Sequence, residues 1–358
     1  MLRSLWLAGA ALLALTGAAC AQDADTPADP MQPTSSVEDA TTSPLRVITV
    51  MSGDLHATRR FFQGALDMSA ELSTLDGEAA AALAAAWGLD FTGPLDMAVF
   101  HHPEADGAAI VRAIQAPDDR PVMRPAYDSA FLGPLGFGFA GEDLVSRYRI
   151  VQEMGFTSTA GVKFMDFPRA DGSTYEVSEI HYAAPDDILV LMVNRGDQAP
   201  VGPIDPALGV GGVAYASVMV GDLEDSARFL GEVLQLEQRR DISFRAAGNG
   251  GGMQGLTGGE EIAFQQWFSP GATTGYLVVM ERLEGEHIEG ELGFEQRGVA
   301  LWSFQVDDLD AVLARYAESA GAAAPEPMIY TSPGIGLVRG AVIENPDGLP
   351  VEVYEPAP

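Results

Sequence analysis

A short motif that recurs along the chain constrains the fold more than any other feature of the sequence. The run Gly53-Asp54-Leu55 returns as Gly221-Asp222-Leu223, and weaker copies stand at Asp143-Leu144 and Asp308-Leu309. In the two stronger copies an Arg-Phe pair follows at the same distance. Repeats that are this long and recur only four times predict small supersecondary modules packed in pairs, and they argue against an open-ended solenoid.

Each copy of the motif has the same surroundings. An apolar run of strand-like residues precedes the aspartate, and apolar residues at helical spacing follow it. The aspartate is expected to cap the helix, because its side chain can accept hydrogen bonds from the first free backbone N–H groups. Further strand-like segments come after each helix, and an alanine-rich helical insert at residues 78–87 interrupts the first copy. Each module therefore reads βαβββ, which predicts an α+β fold.

A stretch rich in proline and glycine divides the modules into two halves. Residues 195–212 contain three prolines and several glycines, and they are predicted to form an interdomain linker. The first and second modules are assigned to residues 45–134 and 135–194, and the third and fourth to residues 213–297 and 298–356. Consecutive modules are expected to pair, which predicts one domain over residues 45–194 and another over residues 213–356.

The N-terminal segment reads as an export signal and a tether. Residues 1–21 contain Arg3, an apolar run too short to span a bilayer, and small residues. Two cleavages stay open, because Ala19-Cys20-Ala21 suits ordinary signal peptidase, whereas the residues that end at Cys20 resemble a lipoprotein box. Residues 22–44 are rich in Asp, Thr, Ser and Pro, which predicts a disordered tether. The protein is expected to be exported to the periplasm, either free or anchored to the cell envelope by a lipid on Cys20.

The charge of the chain excludes one class of partner. The formal net charge is −31 and the pI is near 4.2, so phosphate backbones and anionic membrane surfaces are repelled. Nucleic acid is therefore not expected as a partner, and a membrane is expected only through the N-terminal lipid. The oligomeric state is left open.

The order of the motifs resembles a known superfamily. A strand, an Asp-Leu helix start, an Arg-Phe pair, and the turn Asn345-Pro346-Asp347-Gly348 before Val351-Glu352-Val353 look like the vicinal oxygen chelate superfamily of glyoxalases, extradiol dioxygenases and bleomycin-resistance proteins. The resemblance spans residues 45–356. It implies that two βαβββ modules form one half-open barrel, so that four modules form two such cups. It also implies a divalent metal held by His and Glu on inward-facing strands.

The metal positions that the resemblance implies are not occupied by the usual ligands. The first-strand position lies seven residues before each helix-opening aspartate, and the last-strand position follows the Pro-Asp-Gly turn. The first-strand residues are Val47, Gly136, Tyr215 and Leu301, and the last-strand residues are Leu191 and Glu352. We therefore expect no metal and no other cofactor. The alternative is Fe, Mn, Zn or Ni held by Glu352 together with ligands from outside the family pattern.

The leading hypothesis is a protein that binds a small organic molecule in the cup of residues 213–356. The residues expected to contact the ligand are Tyr215, Trp302, Glu352, Met253 and Trp267. Met253 belongs to a glycine-rich stretch, residues 248–259, which reads equally as a lid and as a disordered loop. Glu352 has two interpretations, as a general base or residual ligand and as the partner of a buried arginine such as Arg339.

Two other functions compete with binding. One is an enzyme, a glyoxalase-type lyase or an extradiol-type dioxygenase, in which Glu352 and Tyr215 carry the catalysis. The other is a structural envelope module whose cups are filled by their own side chains. The superfamily hosts isomerases, lyases, dioxygenases and binding proteins on one scaffold, so the resemblance does not choose among them or name a ligand.

Overall fold

The structure is a computed structural model that describes residues 29, 31–90, 93–105, 107–117, 120–169, 173–246, 256 and 258–357. The predicted signal at residues 1–21, Cys20 and the first part of the tether lie outside the described residues. Met253 and most of the glycine-rich stretch at residues 248–259 also lie outside them. Within the described chain, no helix is both long enough and apolar enough to cross a membrane.

The strands confirm four βαβββ modules and the α+β class. The first module contributes β1 (Val47–Ser52), β2 (Ser69–Leu75), β3 (Leu95–His101) and β4 (Ile110–Gln115). The second contributes β5 (Gly133–Gly141), β6 (Thr157–Pro168), β7 (Thr174–Ala183) and β8 (Leu189–Asn194). After the short β9 (Ile204–Asp205), the third contributes β10 (Val210–Met219), β11 (Glu237–Arg245), β12 (Glu261–Phe268) and β13 (Tyr276–Arg282). The fourth contributes β14 (Gly298–Gln305), β15 (Met328–Ser332), β16 (Gly336–Glu344) and β17 (Pro350–Pro356). The predicted linker, residues 195–212, thus includes β9 and the start of β10.

The helices begin at the motif aspartates, as predicted. The described helices are α1 (Leu55–Arg59), α2 (Gly77–Trp87), α3 (Leu144–Glu153), α4 (Leu223–Arg228) and α5 (Leu309–Ala320), and α1 and α4 continue into single π-helical turns that contain the Arg-Phe repeat or its phenylalanine. The side chains of Asp54, Asp143, Asp222 and Asp308 each accept a hydrogen bond from a backbone N–H of the first helical turn. The repeated aspartate is therefore a helix cap in all four modules.

The sheets do not pair the modules in the expected order. One curled sheet has the order β15-β16-β17-β14-β1-β4-β3-β2, so it joins the fourth module to the first. The other has the order β11-β12-β13-β10-β5-β8-β7-β6, so it joins the third module to the second, with β9 added beside β10. The expected cups within residues 45–194 and within residues 213–356 are therefore wrong. We call the cup of the first and fourth modules the outer-module cup, and that of the second and third modules the inner-module cup.

Consecutive modules meet instead across the backs of the two sheets. The motif helices lie between the sheets, where Phe61 of the first module packs edge-to-face on Phe156 of the second at 5.1 Å. Phe62 stacks on Phe137 at 5.9 Å, and a single apolar cluster joins both sheets. Each sheet buries apolar residues on both faces, one face in its cup and one against the helices. This second face gives consecutive modules a contact that does not require them to share a sheet.

The turns that precede β8 and β17 also link consecutive modules. The N–H of Gly53 donates to Asp186 Oδ2 at 3.1 Å, and the N–H of Gly221 donates to Asp347 Oδ1 at 2.9 Å. The glycine of the repeated motif is thus bonded by the aspartate of the next module's turn. Because both contacts cross from one sheet to the other, the motif and the turn together hold the two sheets back to back.

Replacing Asp347 with asparagine is expected to leave the protein as stable or more stable at neutral pH, by less than about 1 kcal/mol. Burial raises the pKa of Asp347, and its Oδ2 has no hydrogen-bond partner within the described chain. A raised carboxyl pKa means that the stabilisation is complete below the ordinary pKa and is lost as pH rises through the raised value. Asparagine keeps the acceptor for Gly221 and does not ionise, so the gain should be larger at neutral pH than at about pH 3.5, below the ordinary carboxyl pKa, by urea unfolding.

The comparison with Asp186 provides the control for that prediction. Burial also raises the pKa of Asp186, but its carboxylate lies 3.5 Å from Arg297. Asp186→Asn should therefore gain less than Asp347→Asn, because it loses an ion pair. A marked loss of stability in Asp347→Asn at neutral pH would contradict the assignment of Asp347 as a carboxyl that is costly to ionise.

The described part of the tether is packed against the domains, so the predicted disorder is wrong for residues 31–44. Ser36 caps a short 3-10 turn, Val37–Asp39. Ser43 N–H then donates to the carbonyl of Gln305 at 2.8 Å, in β14. The segment contains few apolar side chains, and its order comes from backbone and side-chain hydrogen bonds to strands that are distant in sequence.

Candidate functional site

The residue at the end of each module's last strand is a reference position from which equivalent residues of the modules can be identified. In three modules, the side chain at this place accepts a hydrogen bond from the leucine N–H that opens the motif helix. The pairs are Gln115 with Leu55 at 3.1 Å, Glu281 with Leu223 at 3.0 Å, and Glu355 with Leu309 at 3.2 Å. Three residues earlier stand Arg112, Val278 and Glu352 in the respective modules. Arg112 in the first module is therefore the counterpart of Glu352 in the fourth.

Arg112 and Glu352 meet at the centre of the outer-module cup. Arg112 Nη2 lies 3.3 Å from Glu352 Oε2, and both side chains are fully buried. The guanidinium also donates to Thr49 Oγ1, from Nε at 3.0 Å and from Nη2 at 2.8 Å. Further hydrogen bonds run to Ser303 Oγ, Ser332 Oγ and the carbonyl of Pro333. All the nitrogens of the guanidinium are thus hydrogen-bonded, which is the condition for burying this charge.

The second oxygen of Glu352 is bound by three neutral donors. Trp87 Nε1–H donates to Oε1 at 3.0 Å, Tyr330 Oη–H at 2.7 Å, and Ser332 Oγ–H at 3.2 Å. Trp87 ends α2, the alanine-rich insert, and its ring lies 4.3 Å from the Arg112 guanidinium. Trp87 also stacks on Phe294. The insert therefore packs into the outer-module cup, and its Trp87 donates one of the hydrogen bonds to the ion pair of Arg112 and Glu352.

The chemistry of this cup is that of a satisfied buried ion pair. Burial lowers the pKa of Arg112, and the Glu352 carboxylate opposes that effect. Burial and the neighbouring carboxylate raise the pKa of Tyr330, which keeps the phenol protonated as a donor. A guanidinium has no lone pair to give to a metal, and its positive charge repels one. The side chains around Glu352 therefore do not fit the divalent metal that the resemblance implies.

Glu352 is the partner of a buried arginine, as one of its two interpretations predicts. This arginine is Arg112 and not Arg339. Arg339 lies on β16 and forms ion pairs with Asp310 and Glu355 near the surface. The pattern of the resemblance assigns a last-strand position only to the second and fourth modules, so it does not point to Arg112. A single charge inside the apolar run Ile110-Val111-Arg112-Ala113-Ile114 is the sequence signal that identifies it.

Aromatic side chains fill the base of the inner-module cup. Tyr215 stacks on Tyr276 at 5.1 Å, and Tyr276 stacks on Phe268 at 4.5 Å. The Arg239 guanidinium lies over the outer face of Phe268, 4.4 Å from the ring centre. The Tyr215 ring lies directly against the backbone of Gly138, so closely that a Cβ there would be 2.1 Å from the ring. Tyr215, at one of the positions where the resemblance implies a metal ligand, therefore belongs to a buried aromatic stack.

Two ionisable groups of this cup, His181 and Glu179, form a pair. His181 Nε2 lies 2.7 Å from Glu179 Oε1, because residues two apart on β7 share one face of the strand. Burial and the charge of Glu179 raise the pKa of Tyr215 well above its usual value. Tyr215 therefore stays protonated at neutral pH, which suits a hydrogen-bond donor better than a general base. Within the described residues, no three metal-ligating side chains lie together.

The residues predicted to form one ligand site are dispersed. Tyr215 lies in the inner-module cup, whereas Glu352 lies in the outer-module cup. Trp302 and Trp267 belong to the cluster between the sheets, on the face away from the cups. Met253 lies outside the described residues. The single site expected within residues 213–356 is therefore not formed, because the third and fourth modules belong to different sheets. A ligand contact for any one of these residues stays a prediction.

Comparison with known proteins agrees with this geometry. Residues 212–353 match the model of the Glyoxalase/Bleomycin resistance protein/Dioxygenase superfamily. The second half of the chain is thus similar to that superfamily. The match starts in the third module and ends in the fourth, where the turn and Glu352 carry the resemblance. Among the curated proteins, none matches the chain.

Solved structures of the superfamily extend the likeness to both halves of the chain. Glyoxalase I from Zea mays is similar with a TM-score of 0.57 and 15% identity, over 89% of this chain and 94% of that one. A putative dioxygenase from Bacillus subtilis subsp. subtilis str. 168 is similar with a TM-score of 0.53 and 13% identity, over 89% of this chain and 87% of that one. At these identities the likeness establishes the fold alone. The expected two-cup fold is thereby confirmed, and the resemblance to the superfamily is confirmed by the family model over residues 212–353.

Proposed function

We propose that the protein is an exported member of the superfamily that binds a small organic molecule in the inner-module cup, without a metal. The observation that carries this proposal is the contrast between the two cups. In the outer-module cup, Arg112, Glu352 and Trp87 satisfy one another and are buried. In the inner-module cup, Tyr215, Tyr276 and Phe268 form a buried apolar stack instead of an ion pair, and arginines stand beside it.

The chemistry of the inner-module cup favours binding over catalysis. The counterparts of Arg112 and Glu352 are Leu191 and Val278, and neither carries a donor atom. Tyr215 and Tyr276 both have a raised pKa because of burial, so they do not supply a base at neutral pH. An aromatic surface with a few polar groups is the usual composition of a small-molecule site.

A thermal-shift screen of the mature protein against small organic molecules tests the proposal. At least one class of organic molecule should raise the melting temperature with chelator present, because a specific ligand stabilises the folded state by mass action. Hydrogen exchange should then slow in β10–β13 and leave β14–β17 unchanged. Stoichiometric binding of Fe, Mn, Zn or Ni, or protection confined to β14–β17, would overturn the proposal.

Export is a separate part of the proposal with its own test. Expression of the full chain in a bacterium, followed by mass spectrometry of the mature N-terminus, distinguishes the two cleavages. A diacylglycerol-modified Cys20 supports an anchored protein, and cleavage after Ala21 supports a free periplasmic one. A full-length chain that stays in the cytoplasm contradicts export.

A further inference from the structure

The N-terminal segment reaches the inner-module cup before it enters β1. Asp29 Oδ1 accepts hydrogen bonds from Arg195 Nη2 at 2.9 Å and from the N–H of Met31 at 3.0 Å. The Met31 side chain is only 6% exposed, and it belongs to the same apolar cluster as Tyr215 and Tyr276. A carboxylate and a flexible apolar side chain of the chain itself therefore occupy this cup.

Side chains farther along hold the same segment in place. The hydroxyls of Thr34 and Ser35 donate to the carboxylate of Glu237 at the start of β11. Ser35 Oγ also accepts from the N–H of Gly271 at 3.1 Å. These contacts are few and polar, and none of them is fully buried. Partly exposed hydrogen bonds of this kind contribute little net stability, so the segment can be displaced at low cost.

The charges beside the segment are not balanced. Arg195 pairs with Asp29, Arg239 pairs with Glu237, and Glu179 contacts His181. Arg240 on β11 lies within the electrostatic field of Asp29, Arg195 and Tyr276, and burial lowers its pKa. No carboxylate in the described part of the chain forms an ion pair with Arg240. A half-buried guanidinium that forms no ion pair with any described carboxylate is unusual, particularly in a protein with a net charge of −31.

We infer that the inner-module cup binds an organic anion that consists of a carboxylate joined to a short apolar chain or ring. Asp29 and Met31 occupy the position of this ligand in the structure. The carboxylate of the ligand binds Arg240 and, once Asp29 has left, Arg195. The apolar part takes the place of Met31 in the apolar cluster that contains the tyrosine stack. This inference rests on the proposed function, and it adds the chemical class of the ligand and an internal competitor.

Competition with a tethered segment has a measurable consequence. The apparent affinity of the cup is lowered by the fraction of molecules in which the segment is docked. Weakening the segment should therefore raise the affinity for the anion without any change in the residues that bind it. This effect separates a competing segment from one that serves only to stabilise the fold, because a stabilising segment has no reason to alter ligand affinity in that direction.

Calorimetric titration of the mature protein with hexanoate and phenylacetate, and with the neutral amides of both acids, tests the inference. The carboxylates should bind about tenfold or more tightly than the amides. Asp29→Asn combined with Met31→Ala should bind them about tenfold more tightly than the unaltered protein, and Arg240→Gln about tenfold or more weakly. Arg245→Gln is the matched control on the same strand, because Arg245 is exposed and paired with Glu261 and Glu284, and it should bind as the unaltered protein does.

The outcomes separate this inference from the proposed function. Equal binding of carboxylates and amides, or equal loss in Arg240→Gln and Arg245→Gln, overturns the inference. If neutral molecules nonetheless protect β10–β13 from exchange, the proposed function stands without it. If no organic molecule protects these strands, both fail. Circular dichroism and the melting temperature of each variant confirm that the compared proteins are folded.

Discussion

Arg112→Met is expected to lower the free energy of unfolding by about 3–5 kcal/mol, measured by urea unfolding. The variant removes the only cation that contacts Glu352 within the described residues and leaves this carboxylate buried. Trp87, Tyr330 and Ser332 still donate to Oε1, but neutral donors do not cancel a full charge in a medium of low polarity. The loss should exceed what methionine regains by filling the same space with apolar atoms.

A second change should rescue much of that loss. In Arg112→Met combined with Glu352→Gln, the charge disappears and the amide oxygen still accepts from Trp87 and Tyr330. The double variant should therefore return to within about 2 kcal/mol of the unaltered protein, because replacing both partners of a buried pair is far less costly than removing one. A double variant that is no more stable than Arg112→Met would show that Arg112 acts through packing alone.

Arg339→Met is the matched control for this pair of variants. Arg339 also forms two ion pairs, but it is 27% exposed and its partners face solvent. The expected loss is less than about 1 kcal/mol. Equal losses in Arg112→Met and Arg339→Met would contradict the distinction between a buried pair at the centre of the cup and a surface pair on the neighbouring strand.

Gly136→Ala is expected to lower the free energy of unfolding by about 3 kcal/mol or more, and it should reduce the yield of soluble protein. A Cβ at Gly136 would lie 1.8 Å from the carbonyl oxygen of Leu189, which is backbone and cannot rotate away. Gly136 is paired with Leu189 in the parallel ladder of β5 and β8. The two strands must separate to admit a methyl group, at the centre of the inner-module sheet.

Gly161→Ala tests whether the effect is local to that contact. Gly161 lies on β6 of the same sheet, and nothing stands within 4 Å of its Cβ position. The expected change is within about 0.5 kcal/mol, because the site is open. Melting temperatures and soluble yields of the two variants, prepared together, provide the comparison. Similar values for both would refute the close approach of β5 and β8.

The sequence predicted the modules well because each is specified locally. The cap at Asp54 and its three counterparts depends on residues that are adjacent in the chain, and so does the order of strand and helix within a module. The position of β2 is not specified in this way, because the strand is mostly exposed and lacks the apolar alternation that marks a half-buried strand.

The pairing of modules could not be predicted by the same means. All four first strands are apolar and carry the same motif at their ends, so any two can join edge to edge. The choice of β1 with β14 and β5 with β10 depends on contacts between distant parts of the chain. The position of Arg112 opposite Glu352 is a consequence of that choice. A candidate site taken from residues 213–356 alone therefore contains residues of both cups, because the third and fourth modules belong to different sheets.

The pairing of the first module with the fourth also determines the order in which the two sheets can fold. The inner-module sheet can form once residue 282 has been synthesised, because its strands come from neighbouring modules. The outer-module sheet must wait for β14–β17, and until then β1, whose six residues are all buried in the finished protein, presents a bare apolar edge. Slow closure over so long a separation in sequence makes this edge the place where two nascent chains can exchange their fourth modules.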